Sequence, residues 1–458
     1  MSKQPFDVQI YSPNQPIYKP DYLLNLQHQN REIVMPNIIK NYTCRIVTFL
    51  FIAINISLYG QVKLPPVIDS LSFPVMTWYG LTPEQLDTAH FKELADAGFT
   101  INFSDLRTPE LNKKALELAQ QYGIKLIIND KRIQPDKPVD SAAIAKLDQV
   151  VKDYSGSPAL LGYFIVDESG AENFENMALI KKELCLKDPR HLVYANLLPD
   201  YATAKQTGTN TYGEYIDKYM KIFQPQFISY DYYPFVKSGF KDTYYQNLGT
   251  IREAALKAGV PFWSFAMSCQ IKPAFPLPRE SWIRLQLFSG LAYGAKGLQY
   301  FTYSLPPRDT VGPEEFITSI LDSRGKATYL YDIAERVNSE IHSLEGVLKQ
   351  LKSIGVYHTG NLPKGTEPLP EDFYINKITG GDMVAGYFKD KSGHPYLLLV
   401  NRNYERKLNF TISVSKLVKG FMEVSKSGSN DPVEYKEKNG KIELQFNKGD
   451  GRLFRIVE

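Results

Sequence analysis

Eight apolar segments that read as β-strands alternate with amphipathic helical stretches in the first two thirds of this 458-residue chain. Strands that are apolar throughout and separated by helices are typical of a parallel sheet that is covered on its outside. Thr-Pro pairs at residues 82–83 and 108–109 mark helix starts, because Thr is a good N-cap and Pro fits the first helical turn. Eight such units predict a closed (β/α)8 TIM barrel. The predicted strands cover residues 74–79, 100–105, 125–129, 191–196, 226–231, 261–265 and 297–303, and the fourth lies in the segment 161–170 and stops at its two adjacent carboxylates.

Beyond the eighth strand the pattern changes. Residues 327–351 are predicted to form a long helix, and a Pro- and Gly-rich stretch follows at 361–370. Alternating segments with short turns then recur, which is typical of antiparallel strands. We predict a barrel over residues 62–351 and a small C-terminal antiparallel β-sandwich over residues 352–458. The expected role of the sandwich is packing against the barrel, with carbohydrate binding as the alternative. Its predicted strands are residues 373–378, 382–389, 396–401, 407–414, 440–446 and 452–457.

The N-terminal region contains an apolar run with the layout of a secretory signal peptide. The run at residues 46–59 follows Lys40 and Arg45 and is short for a membrane span. Residues 1–34 show no periodicity, so we expect a disordered or non-native extension, with Met35 as the natural start. The predicted signal peptide is residues 35–61, and the expected location is secreted or periplasmic, with no stable membrane span after signal removal. A single-pass membrane anchor is the alternative.

The net charge and the cysteine and histidine content argue against several classes of protein function. The formal net charge of +3 is too small to indicate a nucleic-acid partner. Cys185 and Cys269 remain after signal removal, and two cysteines in a large domain do not make a disulfide framework. The six His residues are scattered, so neither zinc-ligand spacing nor a neighbouring base for Cys269 is present. No Gly-rich phosphate loop opens a helix. We expect no metal and no cofactor, and the sequence leaves the oligomeric state open.

Carboxylates stand at the ends of two predicted strands. In a parallel barrel, the C-terminal strand ends form the open face where chemistry is done. The fourth strand ends at the adjacent Asp167 and Glu168, and the sixth ends at Asp231. Cleaving a glycosidic bond needs a carboxylic acid to protonate the leaving oxygen, and usually a second carboxylate that attacks or activates water. Glu168 is the candidate general acid and Asp231 the candidate second carboxylate. The alternatives are a helix cap for Glu168 and a loop-ordering residue for Asp231.

Aromatic residues near strand ends are candidates for carbohydrate contacts. The chain has 30 Tyr and 25 Phe, and aromatic rings with a polar edge stack on sugars while hydrogen-bonding at the rim. Many of these rings simply fill a large core, and Trp263 is the candidate best suited to the core. The predicted sugar-stacking positions are Trp78, Tyr79, Tyr232, Tyr233, Trp263 and Tyr303. Further substrate-binding candidates at strand ends are Asp105, Asn129 and Asn196, of which the first two could instead begin turns.

Several of these segments carry a resemblance to a known family. Residues 228–234, Ile-Ser-Tyr-Asp-Tyr-Tyr-Pro, resemble the strand-six segment of family 42 glycoside hydrolases, the bacterial β-galactosidases, where Trp-Asp-Asn-Tyr-Pro ends the strand. Residues 284–286, 292–297 and 300–301 are similar to that family's helix and strand leading into strand eight. Residues 449–455 resemble the closing strand of β-sandwich domains attached to bacterial glycosidases. The resemblance implies a secreted barrel glycosidase with a carbohydrate substrate.

Two residues depart from the pattern of that clan of barrels. Its acid/base Glu follows an Asn that contacts the sugar 2-hydroxyl, whereas Asp167 stands at that place here. Its nucleophile is a Glu that ends strand seven, but residues 262–268 contain no carboxylate. Three hypotheses follow. Asp231 or another strand-end carboxylate supplies the second group; or the Asp167-Glu168 pair, which resembles the acidic pair of family 20 hexosaminidases, works with a substrate acetamido group; or the barrel binds glycans without cleaving them.

Overall fold

The structure is a computed structural model that describes residues 72–306, 315–428 and 433–458. The segments predicted as an N-terminal extension and as a signal peptide, residues 1–34 and 35–61, lie outside the described residues. Within the described ranges, no helix is both long and apolar enough to cross a membrane.

A closed barrel of eight parallel strands confirms the predicted (β/α)8 fold. Neighbours along the chain pair in parallel, and the first strand pairs with the eighth through Val75–Trp78 and Leu298–Phe301, so the sheet has no open edge. Most strand residues are buried because helices cover the outer face. The strands are β1 (Val75–Trp78), β2 (Ile101–Phe103), β3 (Lys125–Ile128), β4 (Leu160–Asp167), β5 (Leu192–Leu197), β6 (Ile228–Tyr230), β7 (Phe262–Met267) and β8 (Gly297–Phe301).

Helices surround the barrel, and their N-termini follow the capping pattern in the sequence. The Thr108 side chain accepts a hydrogen bond from the Leu111 N–H, with Pro109 in the first turn. The other Thr-Pro pair begins a short 3-10 turn, Pro83–Gln85, and the α-helix starts only after Asp87. A second 3-10 turn is Ala171–Asn173. The helices are α1 (Thr88–Asp96), α2 (Pro109–Gln121), α3 (Ser141–Tyr154), α4 (Phe174–Lys187), α5 (Ala204–Thr207), α6 (Tyr212–Ile222), α7 (Tyr244–Ala258), α8 (Glu280–Ala292) and α9 (Tyr329–Leu348).

The C-terminal region forms the predicted antiparallel β-sandwich. Its strands are β9 (Lys352–Thr359), β10 (Ile375–Thr379), β11 (Met383–Lys389), β12 (Pro395–Asn401), β13 (Leu408–Val414), β14 (Gly420–Glu423), β15 (Val433–Lys436), β16 (Lys441–Phe446) and β17 (Gly451–Val457). A six-stranded sheet has the order β9-β11-β12-β17-β14-β15, and a three-stranded sheet has the order β10-β13-β16. The sequence did not predict β9, whose polar residues break the alternation, or the short strands β14 and β15.

Helix α8 lies at the contact between the barrel and the C-terminal sandwich. The six-stranded sheet packs on this helix so closely that a Cβ added at Gly386 would lie 2.3 Å from the Ala292 carbonyl oxygen. The buried Arg284 guanidinium donates to Glu340 on α9 at 2.7 Å and to Asp450 of the sandwich at 3.1 Å. Covered by the barrel on one side and by the sandwich on the other, most of α8 is buried. The sandwich therefore packs against the barrel over an extended apolar contact.

Two small antiparallel ribbons stand beside the C-terminal ends of the barrel strands. One pairs Phe235–Val236 with Gly239–Phe240 after β6. The other pairs Gln270–Lys272, after β7, with Glu315–Thr318. The Lys237 N–H donates to the Ala274 carbonyl oxygen at 2.9 Å and so links the two loops. These loops form part of the surroundings of the pocket described next.

Candidate active site

The end of β4 places two consecutive carboxyl side chains, Asp167 and Glu168, in one pocket. Consecutive side chains of a regular strand point to opposite faces. Here the strand stops at Asp167, and Glu168 adopts a left-handed backbone with φ of 50° while its N–H donates to the Asn196 carbonyl oxygen at 3.0 Å. A residue other than Gly in this conformation costs about 1–2 kcal/mol. Such strain is concentrated at functional sites, because there the position of a side chain matters more than stability.

The Asn196 side chain links the carboxyl groups of β4 and β6. Its Nδ2 donates to Asp167 Oδ1 at 3.1 Å and to Asp231 Oδ1 at 3.0 Å. Its Oδ1 accepts from Ser229 Oγ at 2.8 Å, which fixes the orientation of the amide. Ser229 in turn accepts from Gln299 Nε2 at 2.9 Å. A chain of hydrogen bonds through the barrel interior thus holds the two aspartates in position.

Burial disfavours full ionisation of this cluster of carboxyl groups. Burial, followed by the charge of Asp167, raises the pKa of Asp231 to about 7, although hydrogen bonds from Asn196 and Glu168 act in the opposite direction. Burial raises the pKa of Asp167 to about 6, with the Asn196 hydrogen bond opposing. The cluster is therefore expected to titrate as a unit and to retain a proton near neutral pH.

Carboxyl and amide groups line one side of the pocket, and apolar side chains line the other. We call the side formed by Asp167, Glu168, Asn196 and Asp231 the acidic wall, and the apolar side the apolar wall. Among the described pocket residues, β7 contributes no carboxylate and ends in Met267. The pocket has an empty volume of about 420 Å³, which includes open solvent at its mouth. The residues of the apolar wall are Trp78, Phe265, Met267, Ile271, Phe275 and Phe301.

The Tyr233 ring lies among the aromatic side chains of this wall. It stacks on Phe301 with ring centroids 5.2 Å apart, and it meets Phe275 and Phe265 edge-on at 5.9 and 6.3 Å. Tyr233 also lines the pocket, two residues after Asp231. Tyr233 is therefore close to the acidic wall in sequence, while its ring packs with the rings of the apolar wall.

The structure brings half of the predicted site residues together and places three more beside them. Asn129 Nδ2 donates to Asp105 Oδ1 at 2.7 Å, and Arg107 Nε donates to the same oxygen at 2.7 Å. Burial, and then the charges of Asp167 and Asp105, raise the pKa of Tyr79. Tyr79, Asp105 and Asn129 thus stand next to the pocket without lining it. The predicted residues that line the pocket are Asp167, Glu168, Asp231, Asn196, Trp78 and Tyr233.

The remaining three predicted sugar-stacking residues lie in the core. Trp263 is 1% exposed and packs on Phe227 with ring centroids 4.5 Å apart. Tyr303 is fully buried beside Phe99. The Tyr232 side chain points away from the pocket, where its hydroxyl lies 2.8 Å from Thr243 Oγ1. The rings of these three residues, Tyr232, Trp263 and Tyr303, pack against other protein side chains. They therefore cannot contact a sugar in this structure.

Sequence reasoning missed most of the apolar wall. Phe265 and Met267 are two residues apart on β7, so a period of two would have placed them on one face together. Ile271 and Phe275 belong to a loop that is closed by two backbone hydrogen bonds between them, of 3.1 and 2.7 Å. No local sequence signal indicates that this loop folds back over the barrel.

The environment of Cys269 does not resemble that of a nucleophile. The side chain is fully buried, and its Sγ lies 3.4 Å from Met267 Sδ. Among the described residues that line the pocket there is no histidine to activate a thiol. Within the same described ranges, no group of His, Cys, Asp and Glu side chains is arranged to hold a metal ion.

Comparisons with known proteins identify the architecture. No protein-family model and no curated protein sequence matches the chain. Its fold is similar to that of a β-galactosidase from Bacillus circulans sp. alkalophilus, with a TM-score of 0.62 at 9% identity over 85% of this chain and 100% of that one. A family 5 glycoside hydrolase from Bacteroides vulgatus ATCC 8482 gives 0.55 at 11% identity, covering 84% and 89%. Another glycoside hydrolase gives 0.54 at 10% identity, covering 84% and 92%. At such identities the likeness establishes the fold alone: the chain has the barrel architecture of these glycoside hydrolases.

Proposed function

We propose that this chain is a glycoside hydrolase with Glu168 as its general acid/base. The observation that carries the proposal is the cluster of Asp167, Glu168 and Asp231 in a pocket at the C-terminal end of a (β/α)8 barrel. Active sites of this fold lie at that end, and glycosidic cleavage uses paired carboxyl groups. The glycoside hydrolases among the structural neighbours are consistent with the same chemistry.

Glu168 and Asp231 divide the work in this proposal. Glu168 delivers a proton to the glycosidic oxygen as the bond breaks. Asp231, in its ionised form, activates water or attacks the sugar. Retaining enzymes hold the two carboxyl groups about 5 Å apart and inverting enzymes roughly 6.5–9.5 Å apart. The separation of Glu168 and Asp231 in the substrate complex therefore decides the stereochemistry of the product.

A substrate-assisted mechanism is the second candidate. It is favoured because β7 brings no carboxylate into the described part of the pocket, while Asp167 stands next to Glu168. The acetamido oxygen of an N-acetylated sugar would then attack the anomeric carbon, with Asp167 orienting the acetamido group. In this case Asp231 would hold the pair in position instead of taking part in bond making.

Hydrolysis of a panel of aryl glycosides, including galactosides and N-acetylhexosaminides, tests the proposal. We expect turnover of one sugar class, and a kcat roughly 10²–10⁴-fold lower in Glu168→Gln. Glu175→Gln is the matched control, since Glu175 is exposed on α4. Hydrolysis only of N-acetylated sugars would select the substrate-assisted route. Undiminished turnover in Glu168→Gln would refute the proposal, and glycan binding without turnover would indicate a carbohydrate-binding barrel.

We also propose that the protein is secreted or periplasmic, with residues 35–61 removed as a signal peptide. The support is the apolar run behind Lys40 and Arg45 in the sequence. N-terminal sequencing of the mature protein from the native host tests this. A mature start near residue 62 is expected, whereas a membrane-bound protein that keeps the run would favour the anchor instead.

A further inference from the structure

The pocket has two sides of opposite chemistry. The polar groups of the acidic wall come from β4, β5 and β6, while the apolar wall is built from β1, β7, β8 and the loop after β7. At the end of β7, where a second carboxylate would oppose Glu168 in the related clan, Phe265 and Met267 line the pocket. A ligand that fills this space must therefore be polar on one side and apolar on the other.

A sugar ring alone does not match the apolar wall. One face of a pyranose is apolar, but its hydroxyl groups project from the perimeter, and a flat aromatic ring is sufficient to cover that face. The apolar wall is not one flat ring, because its side chains come from several different elements. Hydroxyl groups pressed into such a surface would lose their water without gaining hydrogen bonds, which is unfavourable for each group buried in this way. The occupant of this side is therefore apolar around its edge as well as on its face.

The apolar wall is held in place before any ligand binds. Trp78 packs edge-on against Phe265 with ring centroids 5.4 Å apart. The turn from Ile271 to Phe275 is closed by its own backbone hydrogen bonds and is tied to the neighbouring loop through Ala274. Pre-formed apolar surface binds an apolar group without an ordering cost for the protein, so affinity rises with the apolar area that the ligand buries.

We propose that the pocket takes glycosides whose leaving group is an apolar aglycone, aromatic or alkyl, seated on the apolar wall while the sugar hydroxyls face the acidic wall. This inference rests on the proposed function and narrows its substrate class. In such a substrate the bond from the anomeric carbon to the aglycone oxygen breaks, and the oxygen receives the proton of Glu168. Water supplies the hydroxyl group of the sugar product, and the aglycone leaves as an alcohol or phenol.

Binding of phenyl and methyl 1-thioglycosides, measured by titration calorimetry, tests the inference without requiring turnover. The sugar is the one selected by the panel, or galactose, glucose and N-acetylglucosamine in turn if none is cleaved. We expect the phenyl compound to bind about tenfold more tightly or better. Phe275→Ala should remove most of that difference and leave methyl thioglycoside binding unchanged. Phe275→Leu should have an intermediate effect and serves if the Ala variant does not fold.

Phe316→Ala is the control, because Phe316 packs on Phe301 at 6.1 Å without lining the pocket. It should leave the ratio of phenyl to methyl affinity unchanged. Equal weakening of both compounds by Phe275→Ala would overturn the inference, since it would mean that Phe275 stacks on the sugar. Equal affinity of the parent protein for both compounds would also overturn it. Cleavage of glycosyl fluorides by a protein with no phenyl preference would leave the proposed function standing and remove only the inference.

Discussion

Replacement of Asp231 by Asn should stabilise the protein at alkaline pH while impairing its activity. Asn keeps the shape of the side chain and an oxygen that can accept from Asn196, but it removes the buried negative charge. Burial and Asp167 raise the pKa of Asp231 from 3.8 to about 7 in the folded protein. The folded state therefore binds a proton more tightly than the unfolded state does. This contribution to stability is complete below pH 4 and is lost as the pH rises through 7.

The size of the effect follows from the shift in pKa. Each pKa unit corresponds to about 1.4 kcal/mol, so a shift of this extent costs the folded protein on the order of 4 kcal/mol above pH 8. Because Asp167 shares the cluster and titrates with Asp231, we expect a gain of about 2–4 kcal/mol for Asp231→Asn. Loss of function with a gain of stability is common where an active site holds buried charge.

Thermal unfolding followed by circular dichroism at pH 4.5, 6 and 8 measures the effect. The melting temperature of Asp231→Asn should exceed that of the parent by several degrees at pH 8, and the difference should be much smaller at pH 4.5. Asp217→Asn is the control, because Asp217 is exposed on α6 and should show no such dependence. A variant that is equally or less stable at pH 8, or a difference that does not change with pH, would refute the reasoning.

Three further predictions concern the contact between the domains. Arg284→Met should lower stability by about 1.5–3 kcal/mol, because Glu340 and Asp450 lose a charged hydrogen-bond donor and keep only Lys426; an unchanged melting temperature would contradict this. Gly386→Ala should lower the melting temperature because of its 2.3 Å clash with the Ala292 carbonyl, whereas Gly156→Ala, with open space around it, should not. Burial, and then the charge of Arg402, lower the pKa of His358 to about 3. The stability of the parent protein should therefore fall as the pH drops from 6.5 toward 3, and His358→Gln should reduce that loss. Equal acid sensitivity in the parent and the variant would contradict this prediction.

The sequence was sufficient to predict the barrel and the carboxyl groups at its open end. Apolar strands with regular helical spacers have few other arrangements, and strand ends follow from the same pattern. It was not sufficient to predict which strand ends meet, because that depends on register. The irregular pairing of β4 with β5 places Asp167 opposite Asn196, and no local pattern encodes this irregularity.

The aromatic residues illustrate the same limit. A period of two after β6 would have separated Tyr232, whose side chain points away, from Asp231 and Tyr233, which line the pocket. Nearness to a strand end alone does not distinguish the two tyrosines. Trp263, which is 1% exposed, is the candidate that the sequence already favours for the core. Tyr303 has no comparable signal, since a ring in the core and a ring at a pocket look alike in sequence. The loop residues Ile271 and Phe275 reach the pocket only through tertiary contacts.

The dependence of catalysis on the leaving group tests the central claim most directly. kcat/KM would be measured for the parent protein and Glu168→Gln on a series of aryl glycosides whose phenols differ in acidity. If Glu168 delivers a proton to the leaving oxygen, the loss in the variant should be small for the most acidic phenol and should grow steadily as the phenol becomes less acidic. A loss of the same size across the series, or no loss, would contradict the assignment of Glu168 as the general acid.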